Sequence, residues 1–493
     1  MTTSTSSSRP VLWRIVTGLA LMGSPLLAAV PAASTSTSGA EPVAEPIPHL
    51  TRYLTARDDK ARLKDVPISA PISSTAPRNL ASIRVEPRVT YQKIEGFGGA
   101  FTDSAGYVLK KMPADKQEEI LQACFDPVKG LGYTLCRTHI NSCDFSTENY
   151  AYAETKDDFE LKNFSIERDK RSLIPMIKRA QKISNNGFKL FASPWSPPAW
   201  MKTNGEMNNG GKLKPECREA WANYFVKYLA AYEKEGIPIW GVTVQNEPAA
   251  MQVWDSCLYT GEEERDFVRD YLGPTFAKAD VKAKIMIWDH NRDLMYERAK
   301  AVLDDPKAAQ YVWGVAFHWY VTDTFDNVQR VHDAWPDKAV LLTEGCQEGG
   351  VHLSEWATGE RYGHSMIEDL NHWSVGWVDW NMVLDETGGP NHVGNLVSAP
   401  IIANTQTGEI AYQSSYYYIG QFSRFVRPGA MRVLAASTHD GLETTAFVNP
   451  DGSTIVVVMN RTEYPVRFEL KLGAKASRMD APQHSIQTLV IKA

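Results

Sequence analysis

Two glutamates lie where apolar, strand-length runs of the sequence stop. Glu247 has Asn246 before it and Pro248 after it, and Glu344 is followed by Gly345. Because proline cannot donate to a strand ladder and glycine permits a sharp turn, both glutamates are predicted at strand tips. Two carboxyl groups about 5–5.5 Å apart have the chemistry to cleave a glycosidic bond with retention, one protonating the leaving oxygen while the other attacks C1. A capping or salt-bridging role is the alternative for either glutamate alone, and the pair favours catalysis.

Eight apolar runs of strand length alternate with amphipathic helical stretches, a pattern typical of a parallel α/β fold. The runs cover residues 94–101, 133–138, 188–193, 239–244, 285–288, 315–320, 340–344 and 376–381. A helix is predicted over 216–235, where large apolar side chains repeat at helical spacing. The next helix is expected to begin at a capping box formed by Thr260 and Glu263. The first run is the least regular, because its glycines are also typical of a loop.

Polar or aromatic residues end all eight runs. In a (β/α)8 barrel the C-terminal ends of the strands meet at one rim, where active sites are built. The sequence therefore predicts a (β/α)8 TIM barrel over residues 96–424, with these side chains converging at its mouth. In chain order they are Asp103, Arg137, Trp195 with Trp200, Asn246 with Glu247, Asp289, His318 with Tyr320, Glu344, and Trp380 with Asn381.

The pattern changes after the barrel. Short alternating β runs appear at 445–448, 454–459, 466–472 and 486–491, and a similar stretch precedes the barrel at 80–92. Neither side is long enough to form a β domain alone. The sequence therefore predicts that a strand region at 80–95 and the segment 425–493 together form an all-β sandwich domain attached to the α/β barrel.

The N-terminal segment has the pattern of an export signal. Arg9 and Arg14 precede a mostly apolar stretch, and small residues suited to cleavage follow it. This predicts a signal peptide over residues 1–32 and a secreted or periplasmic protein, with an uncleaved membrane anchor as the alternative. The stretch that follows is rich in Ser, Thr, Ala, Pro and Glu, which predicts a leader or linker over 33–79.

Composition excludes several classes of function. The 52 basic and 58 acidic side chains give a net charge of −6 without a basic stripe, which argues against nucleic acid as a partner. No His, Asp, Glu or Cys cluster has metal-ligand spacing, so neither a metal nor a cofactor is expected. The six cysteines match neither a small disulfide scaffold nor a CxxC site, and they are predicted to be mostly free and buried.

An ordered series of motifs resembles glycoside hydrolase family thirty of clan A, and within it the acid β-glucosidases (glucosylceramidases). The resemblance extends from about residue 80 onward. The motifs are Gly96-Phe-Gly-Gly-Ala-Phe-Thr-Asp103, Ser142-Cys-Asp-Phe-Ser146, Ala192-Ser-Pro-Trp-Ser-Pro197, Trp200-Met-Lys-Thr-Asn-Gly205, Val244-Gln-Asn-Glu-Pro248, Phe317-His-Trp-Tyr320, Thr343-Glu344, Asp379-Trp-Asn381, Gly389-Pro-Asn391 and Pro450-Asp-Gly-Ser453.

The resemblance implies a role for each site residue. Glu247 would be the acid/base and Glu344 the nucleophile. The residues implied to bind the glycone are Asp103 and Trp380 at the outer hydroxyls, Asn246 at the 2-OH, Trp195, and Asn395 as a further sugar contact, with Tyr320 as an aromatic near the nucleophile. From their chemistry, Arg137 is expected to keep Glu344 ionised, and His318 to be a supporting histidine rather than a base.

The implied activity is hydrolysis of β-glucosidic bonds by double displacement. The substrate would be a β-glucoside, either a glycolipid or an oligosaccharide, with transient contact with a lipid or membrane surface and no obligate protein partner. Loops 249–258 and 345–356 do not closely match the animal lysosomal enzymes, so the aglycone stays open. The alternatives are an endo-β-1,6-glucanase of the same family and, from another class, a non-catalytic carbohydrate-binding protein, against which the paired carboxylates argue.

Overall fold

A computed structural model of the chain describes residues 45–68 and 80–492. The predicted signal peptide lies outside the described residues. Three strands precede the barrel: β1 (Leu50–Ala56), β2 (Lys64–Val66) and β3 (Ala81–Lys93). The first two correct the expectation of a leader over the whole of 33–79. Strand β1 pairs along its full length with the last strand of the chain, from Leu50 opposite Ile491 to Ala56 opposite Ser485. Its alternating apolar side chains gain burial there, a partnership that local composition could not reveal.

Eight parallel strands form a closed barrel and confirm all eight predicted runs. They follow one another around the barrel in chain order, with the last strand pairing the first. Their bounds are β4 (Gly96–Phe101), β5 (Leu135–Ile140), β6 (Lys189–Pro194), β7 (Gly241–Thr243), β8 (Lys284–Asn291), β9 (Val312–His318), β10 (Ala339–Glu344) and β11 (Ser374–Asn381).

The glycines of β4 belong to a strand because neighbouring backbones approach it closely. A Cβ added at Gly98 would lie 1.9 Å from the carbonyl oxygen of Leu135 on β5, so no side chain fits at that position. Larger apolar side chains from other strands fill the barrel interior instead. They are Leu135, Phe191, Met286, Ala316, Leu341 and Val378.

Helices surround the barrel and connect its strands. The predicted helix over 216–235 is α4, and Thr260 and Glu263 form the predicted capping box at the start of α5. A π-helical segment, Val268–Leu272, separates α5 from α6. The helices are α1 (Asp103–Lys111), α2 (Ala114–Phe125), α3 (Leu173–Ile183), α4 (Arg218–Lys234), α5 (Gly261–Phe267), α6 (Gly273–Lys278), α7 (Met295–Leu303), α8 (Pro306–Ala309), α9 (Phe325–Ala334), α10 (Trp356–Asn371) and α11 (Ser414–Ser423).

The segments flanking the barrel form one nine-stranded sheet, as predicted for the β domain. A small separate sheet follows the barrel, with β12 (Val383–Asp385), β13 (Ile401–Ala403) and β14 (Ile410–Tyr412). The large sheet then takes β15 (Met431–Ser437), β16 (Leu442–Val448), β17 (Thr454–Asn460), β18 (Val466–Leu472), β19 (Lys475–Ala481) and β20 (Ser485–Ile491), in the order β19-β18-β3-β15-β16-β17-β20-β1-β2.

Strand β3 joins the two halves of this domain, because it pairs antiparallel with β15 and parallel with β18. Inward side chains from both sides of the barrel sequence, among them Ile83, Val433 and Phe468, form its core. Strand β19 was not predicted, because the sequence of Lys475–Ala481 is largely polar. All six cysteines are free and buried, as expected. Among the described residues, no helix combines the length and apolar character that crossing a membrane requires.

Candidate active site

A cavity of about 250 Å³ opens at the carboxyl ends of the barrel strands. Seven of the predicted site residues line it, so the convergence inferred from the sequence is confirmed for them. They are Trp195, Asn246, Glu247, Tyr320, Glu344, Trp380 and Asn395. The lining also includes nine residues that were not predicted: Asp144, Phe145, Gln252, Trp254, His290, Asn291, Cys346, Glu348 and Val397.

The two glutamates face each other across this cavity. Glu344 is the last residue of β10, whereas Glu247 follows β7 in a turn with φ of +47°. A left-handed backbone at a residue other than glycine is strained, and such strain concentrates at functional sites. One carboxylate oxygen of each glutamate and one ring nitrogen of His318 all lie within 4.8 Å of one another. The carboxyl groups of a retaining pair stand about 5–5.5 Å apart and those of an inverting pair about 6.5–9.5 Å apart, so this proximity is compatible with a retaining pair.

Arg137 holds Glu344 from the floor of the site. The guanidinium is fully buried and donates to Glu344 Oε2 at 2.5 Å, to Asn246 Oδ1 at 2.8 Å and to Asp289 Oδ2 at 2.8 Å. On its other oxygen, Oε1, Glu344 accepts a hydrogen bond of 2.8 Å from the hydroxyl of Tyr320. Burial raises the pKa of Glu344, and the positive charges of His318 and Arg137 oppose that rise. The charge of Arg137 thus favours the carboxylate form of Glu344.

His318 lies between two carboxylates. Its Nε2 is 3.0 Å from Asp289 Oδ1, and its Nδ1 is 3.4 Å from Glu247 Oε1. Ionised carboxylates only accept hydrogen bonds, so both ring nitrogens must donate and the imidazole is protonated. Although burial alone would lower it, the charge of Glu344 and the hydrogen bond to Asp289 raise the pKa of His318 to about 9.

The charge of the protonated His318 keeps both neighbouring carboxyl groups ionised. Burial disfavours an ionised Glu247, but the hydrogen bond and charge of His318 outweigh it and hold the pKa of Glu247 below its ordinary value. Asp289 also stays ionised, since Arg137 and His318 hold its pKa well below the usual range against burial. The proton therefore resides on His318, in contact with Glu247. His318 thus contacts both Glu247 and Asp289 as a cation.

The opposite side of the cavity presents aromatic and amide groups to a ligand. Trp195 and Trp380 stack with ring centroids 5.0 Å apart, and the Arg137 guanidinium lies 4.7 Å from the Trp195 ring. Asn395 donates to Asp144 Oδ2 at 3.2 Å, and Asn391 donates to the same oxygen at 3.1 Å. Burial and the charge of Glu344 raise the pKa of Asp144 to about 7. These residues combine flat apolar surface with hydroxyl-binding groups, which suits a sugar ring.

Asp103, which was predicted to contact the glycone, is not among the residues that line the cavity. It begins α1, and its side chain is buried. Its carboxylate accepts hydrogen bonds from Arg168 at 3.2 Å, from Thr147 and from Ser172, so it joins α1 to the loop after β5 and to the start of α3. Negative charge at the start of a helix is favourable, which gives Asp103 a structural role. Asp144 is the aspartate that lines the cavity, in the motif Ser142-Cys-Asp-Phe-Ser146.

The unpredicted lining residues come mainly from loops whose paths the sequence does not specify. Gln252 and Trp254 lie on the loop after β7, in which side chains alternate: 252 and 254 are partly buried, whereas Met251 and Val253 are exposed. The sequence offers no signal for this, because the exposed Met251 and Val253 are apolar and the cavity-lining Gln252 is polar. His290 follows the strand-end residue Asp289 directly, and Cys346 and Glu348 follow Glu344.

Two groups among the described residues have ligand atoms close enough to hold a metal ion. The first comprises Glu247, His318 and Glu344. The second comprises His364, Glu368 and Glu443, in which Glu443 already pairs with Arg461 at 2.5 Å. In both groups, side chains of the chain itself form hydrogen bonds or ion pairs with the potential ligands. Catalysis without a metal or cofactor stays a prediction.

Comparisons with known proteins agree with this architecture. The chain matches the Glycosyl hydrolase family 30 TIM-barrel domain over residues 94–426 and the Glycosyl hydrolase family 30 beta sandwich domain over 429–489. It is 40% identical over 402 residues to the lysosomal acid glucosylceramidase of Mus musculus, covering 78% of each chain. Among solved structures, SrfJ from Salmonella typhimurium is similar with a TM-score of 0.84 and 38% identity, over 90% of this chain and 100% of that one.

A second similar solved structure is that of an endo-glucanase. The endo-β1,6-glucanase BT3312 is similar with a TM-score of 0.81 and 29% identity, over 90% of this chain and 100% of that one. Both domain matches and the 40% identity to a glucosylceramidase lead to the same conclusion. The chain belongs to glycosyl hydrolase family 30 and is a β-glucosidase-type glycosidase.

Proposed function

We propose that this glycosidase uses Glu344 as its nucleophile and Glu247 as its acid/base in a double displacement. The observation that carries the proposal is that one carboxylate oxygen of each glutamate lies within 4.8 Å of the other at one cavity. Their surroundings differ as the two roles require. Arg137 and Tyr320 hold Glu344 as an oriented carboxylate, whereas Glu247 contacts a histidine that carries a proton.

In the first step Glu344 attacks C1 of the glucoside, and the bond between C1 and the leaving oxygen breaks. Negative charge develops on that oxygen, which makes it the strongest base in the cavity. Glu247 takes a proton from His318, 3.4 Å away, and passes it to that oxygen. The products are the free aglycone and a glucosyl ester of Glu344.

In the second step a water molecule attacks C1 of the ester from the side that the aglycone has left. Glu247 accepts the proton of this water and returns it to His318, and the electron pair of the breaking bond goes back to Glu344. Arg137 stabilises the carboxylate that forms again, because its hydrogen bond is already in place. Two inversions at C1 give a product with the β configuration.

The glycone is proposed to bind on the side of the cavity formed by Asp144, Trp195, Trp380 and Asn395. Asn246 is oriented for the 2-OH, because its Oδ1 accepts from Arg137 and its amide N–H groups therefore face away from that contact. Asp144 replaces Asp103 as the carboxylate expected to bind an outer hydroxyl, with Trp380 beside it. Tyr320 donates to the nucleophile.

For the aglycone we propose a glycolipid, as in a glucosylceramidase, with an oligosaccharide as the alternative. Support for the lipid comes from the mouse relative and from Met251 and Val253, which are 70% and 64% exposed on the loop beside Glu247. Such side chains at the mouth favour transient contact with acyl chains or a membrane surface. The similarity to an endo-β1,6-glucanase supports the oligosaccharide.

A substrate panel separates these possibilities. Purified enzyme is assayed with an aryl β-glucoside, glucosylceramide in detergent micelles, and β-1,6-linked gluco-oligosaccharides. Turnover of the first two with negligible cleavage inside the oligosaccharides supports the glucosylceramidase-like proposal. Preferential internal cleavage of the oligosaccharides would identify an endo-glucanase, and failure on all three would refute a β-glucosidic substrate.

The acid/base role has its own test. Glu247→Gln is expected to form the glucosyl ester from an aryl glucoside with an acidic phenol, which needs little protonation, and then to stall. Azide should restore turnover by attacking C1 directly, giving a β-glucosyl azide. An α-azide, or full activity without azide, would refute the assigned role.

Export is proposed from the signal pattern alone, since residues 1–32 lie outside the described part of the chain. Expression of the full sequence in a bacterial host should deliver active protein to the periplasm or medium with its N-terminus cleaved near residue 32. Retention of an intact N-terminus on cytoplasmic protein would contradict this.

A further inference from the structure

Two uncharged side chains contact the acid/base glutamate in addition to His318. Gln252 Nε2 donates to Glu247 Oε2 at 3.4 Å, and His290 Nε2 lies 3.6 Å from Glu247 Oε1. Both residues line the cavity. Each oxygen of the carboxylate therefore faces one neutral group, and catalytic contacts of this length in an empty site often shorten when a ligand is bound.

The surroundings of His290 define its protonation state. Its Nδ1 is buried and has no hydrogen-bond partner among the described residues. A buried N–H without an acceptor is costly, so the proton of the neutral ring belongs on Nε2, directed at Glu247. Burial, together with the charge of His318, lowers the pKa of His290 although Glu247 opposes this. His290 thus stays a neutral donor at pH values where most histidines are charged.

Gln252 is held in place by its own loop. Ser256 Oγ accepts from the Gln252 backbone N–H at 3.3 Å and donates to the Gln252 carbonyl at 3.1 Å. The buried Lys202 ammonium donates to the Ser256 carbonyl and, at 2.9 Å, to that of Met207. The neighbouring loop thereby fixes the backbone that presents the Gln252 amide to Glu247.

Charged groups on four strands surround Glu247. His318 at the end of β9 contacts Glu247 directly and is backed by Asp289 of β8. The carboxylate of Glu344 on β10 lies opposite, paired with Arg137 of β5. Once Glu344 is esterified in the second half-reaction its charge is gone, and the protonation state of Glu247 then depends on the histidines and on Gln252.

We propose that His290 and Gln252 are positioning residues that hold Glu247 as an oriented, ionised base, and so extend the second half-reaction to acidic pH. This rests on the proposed role of Glu247. Water can attack the glucosyl ester only while Glu247 is able to accept its proton. Two donors that stabilise the carboxylate keep it unprotonated at lower pH than His318 alone would allow.

The test uses an aryl β-glucoside with an acidic phenol, for which the second step limits kcat. The pH profile of kcat is measured for the wild type, His290→Phe and Gln252→Leu. The acidic limb should move upward by roughly 0.5–1 pH unit in each variant, because one donor to the carboxylate is lost. Gln252→Glu should move it further through like charge, and His290→Gln, which retains a donor, should return it toward the wild type. Ala249→Ser, at an exposed residue of the same loop that does not line the cavity, is the matched control.

If His290 and Gln252 have only a structural role, their variants would have a lower kcat at every pH with the acidic limb unmoved, and that result overturns the inference. Full activity with an unshifted acidic limb also overturns it. Failure of the proposed function has a different signature, namely a Glu247→Gln variant that turns over the same substrate without azide. If His290→Phe does not fold, Gln252→Leu and Gln252→Glu, on a surface loop, still test the inference.

Discussion

Asp144→Asn should separate sugar binding from fold stability. The side chain is buried in the cavity wall, and Oδ2 already accepts from Asn391 and Asn395. An asparagine of the same shape can accept from these amides, so the wall is expected to persist. What is lost is the negative charge available to a sugar hydroxyl. Hydrogen bonds to charged groups contribute about 1.5–3 kcal/mol each, so kcat/KM for an aryl β-glucoside should fall on the order of 100-fold.

Stability should change in the opposite direction. Burial and the Glu344 charge raise the pKa of Asp144 from its ordinary 3.8 to about 7. Below pH 3.8 the group is protonated in both the folded and unfolded states. Between these values the unfolded chain ionises first, so stability falls as pH rises, and above pH 7 the full cost of about 4 kcal/mol applies. Asp144→Asn removes this cost. Its Tm should exceed that of the wild type by several degrees at pH 8 and by much less at pH 4.

Asp103→Asn is the matched control, because the sequence analysis assigned the sugar contact to that residue. It breaks a buried ion pair with Arg168, which should cost about 3 kcal/mol of stability. Activity of the folded enzyme should stay close to wild type. Initial-rate kinetics at 25 °C and thermal unfolding at both pH values measure the two effects. The assignment fails if Asp103→Asn loses kcat/KM while Asp144→Asn retains it.

Other perturbations follow from the same geometry. Trp380→Phe should keep the packing on Trp195 and lose the indole N–H, which should lower kcat/KM roughly tenfold. Trp380→Ala should also destabilise the fold, since Trp380 is only 3% exposed. An unchanged kcat/KM in the Phe variant would show that Trp380 does not contribute to the sugar site. Loss of the His318 proton, with its pKa of about 9, should reduce wild-type kcat/KM for alkyl glucosides as pH rises through that value. His318→Gln should abolish this alkaline limb and slow alkyl glucosides far more than activated aryl glucosides; equal slowing of both would contradict a proton supply through His318.

Sequence reasoning succeeded where local chemistry determines the structure. The apolar runs indicate where the barrel strands stop, which is why the sequence places Glu344 at the end of β10 and Glu247 shortly after β7. The sequence does not show in which direction a side chain after a strand points. Asp103 and Asp144 both follow barrel strands, but Asp103 enters α1 and turns toward Arg168, whereas Asp144 stays in a loop and faces the cavity.

Contacts between segments distant in the chain account for the other features that the sequence did not predict. Strand β1 is defined by its partner β20, more than 400 residues away in the chain, and a leader-like neighbourhood concealed it. Gln252 and His290 acquire a role only through contact with Glu247, which depends on the path of the loop after β7 and on the end of β8. No local propensity encodes such contacts.

Peptide mapping of a trapped intermediate tests the central claim most directly. A 2-deoxy-2-fluoro-β-glucoside with an activated leaving group should react once and then hydrolyse slowly, because fluorine destabilises the positively charged transition state of both steps. Mass spectrometry of the digested protein should find the fluoroglucosyl group on Glu344 and on no other residue. An adduct on Glu247 or elsewhere, or rapid turnover with no covalent species, would contradict a double displacement through Glu344.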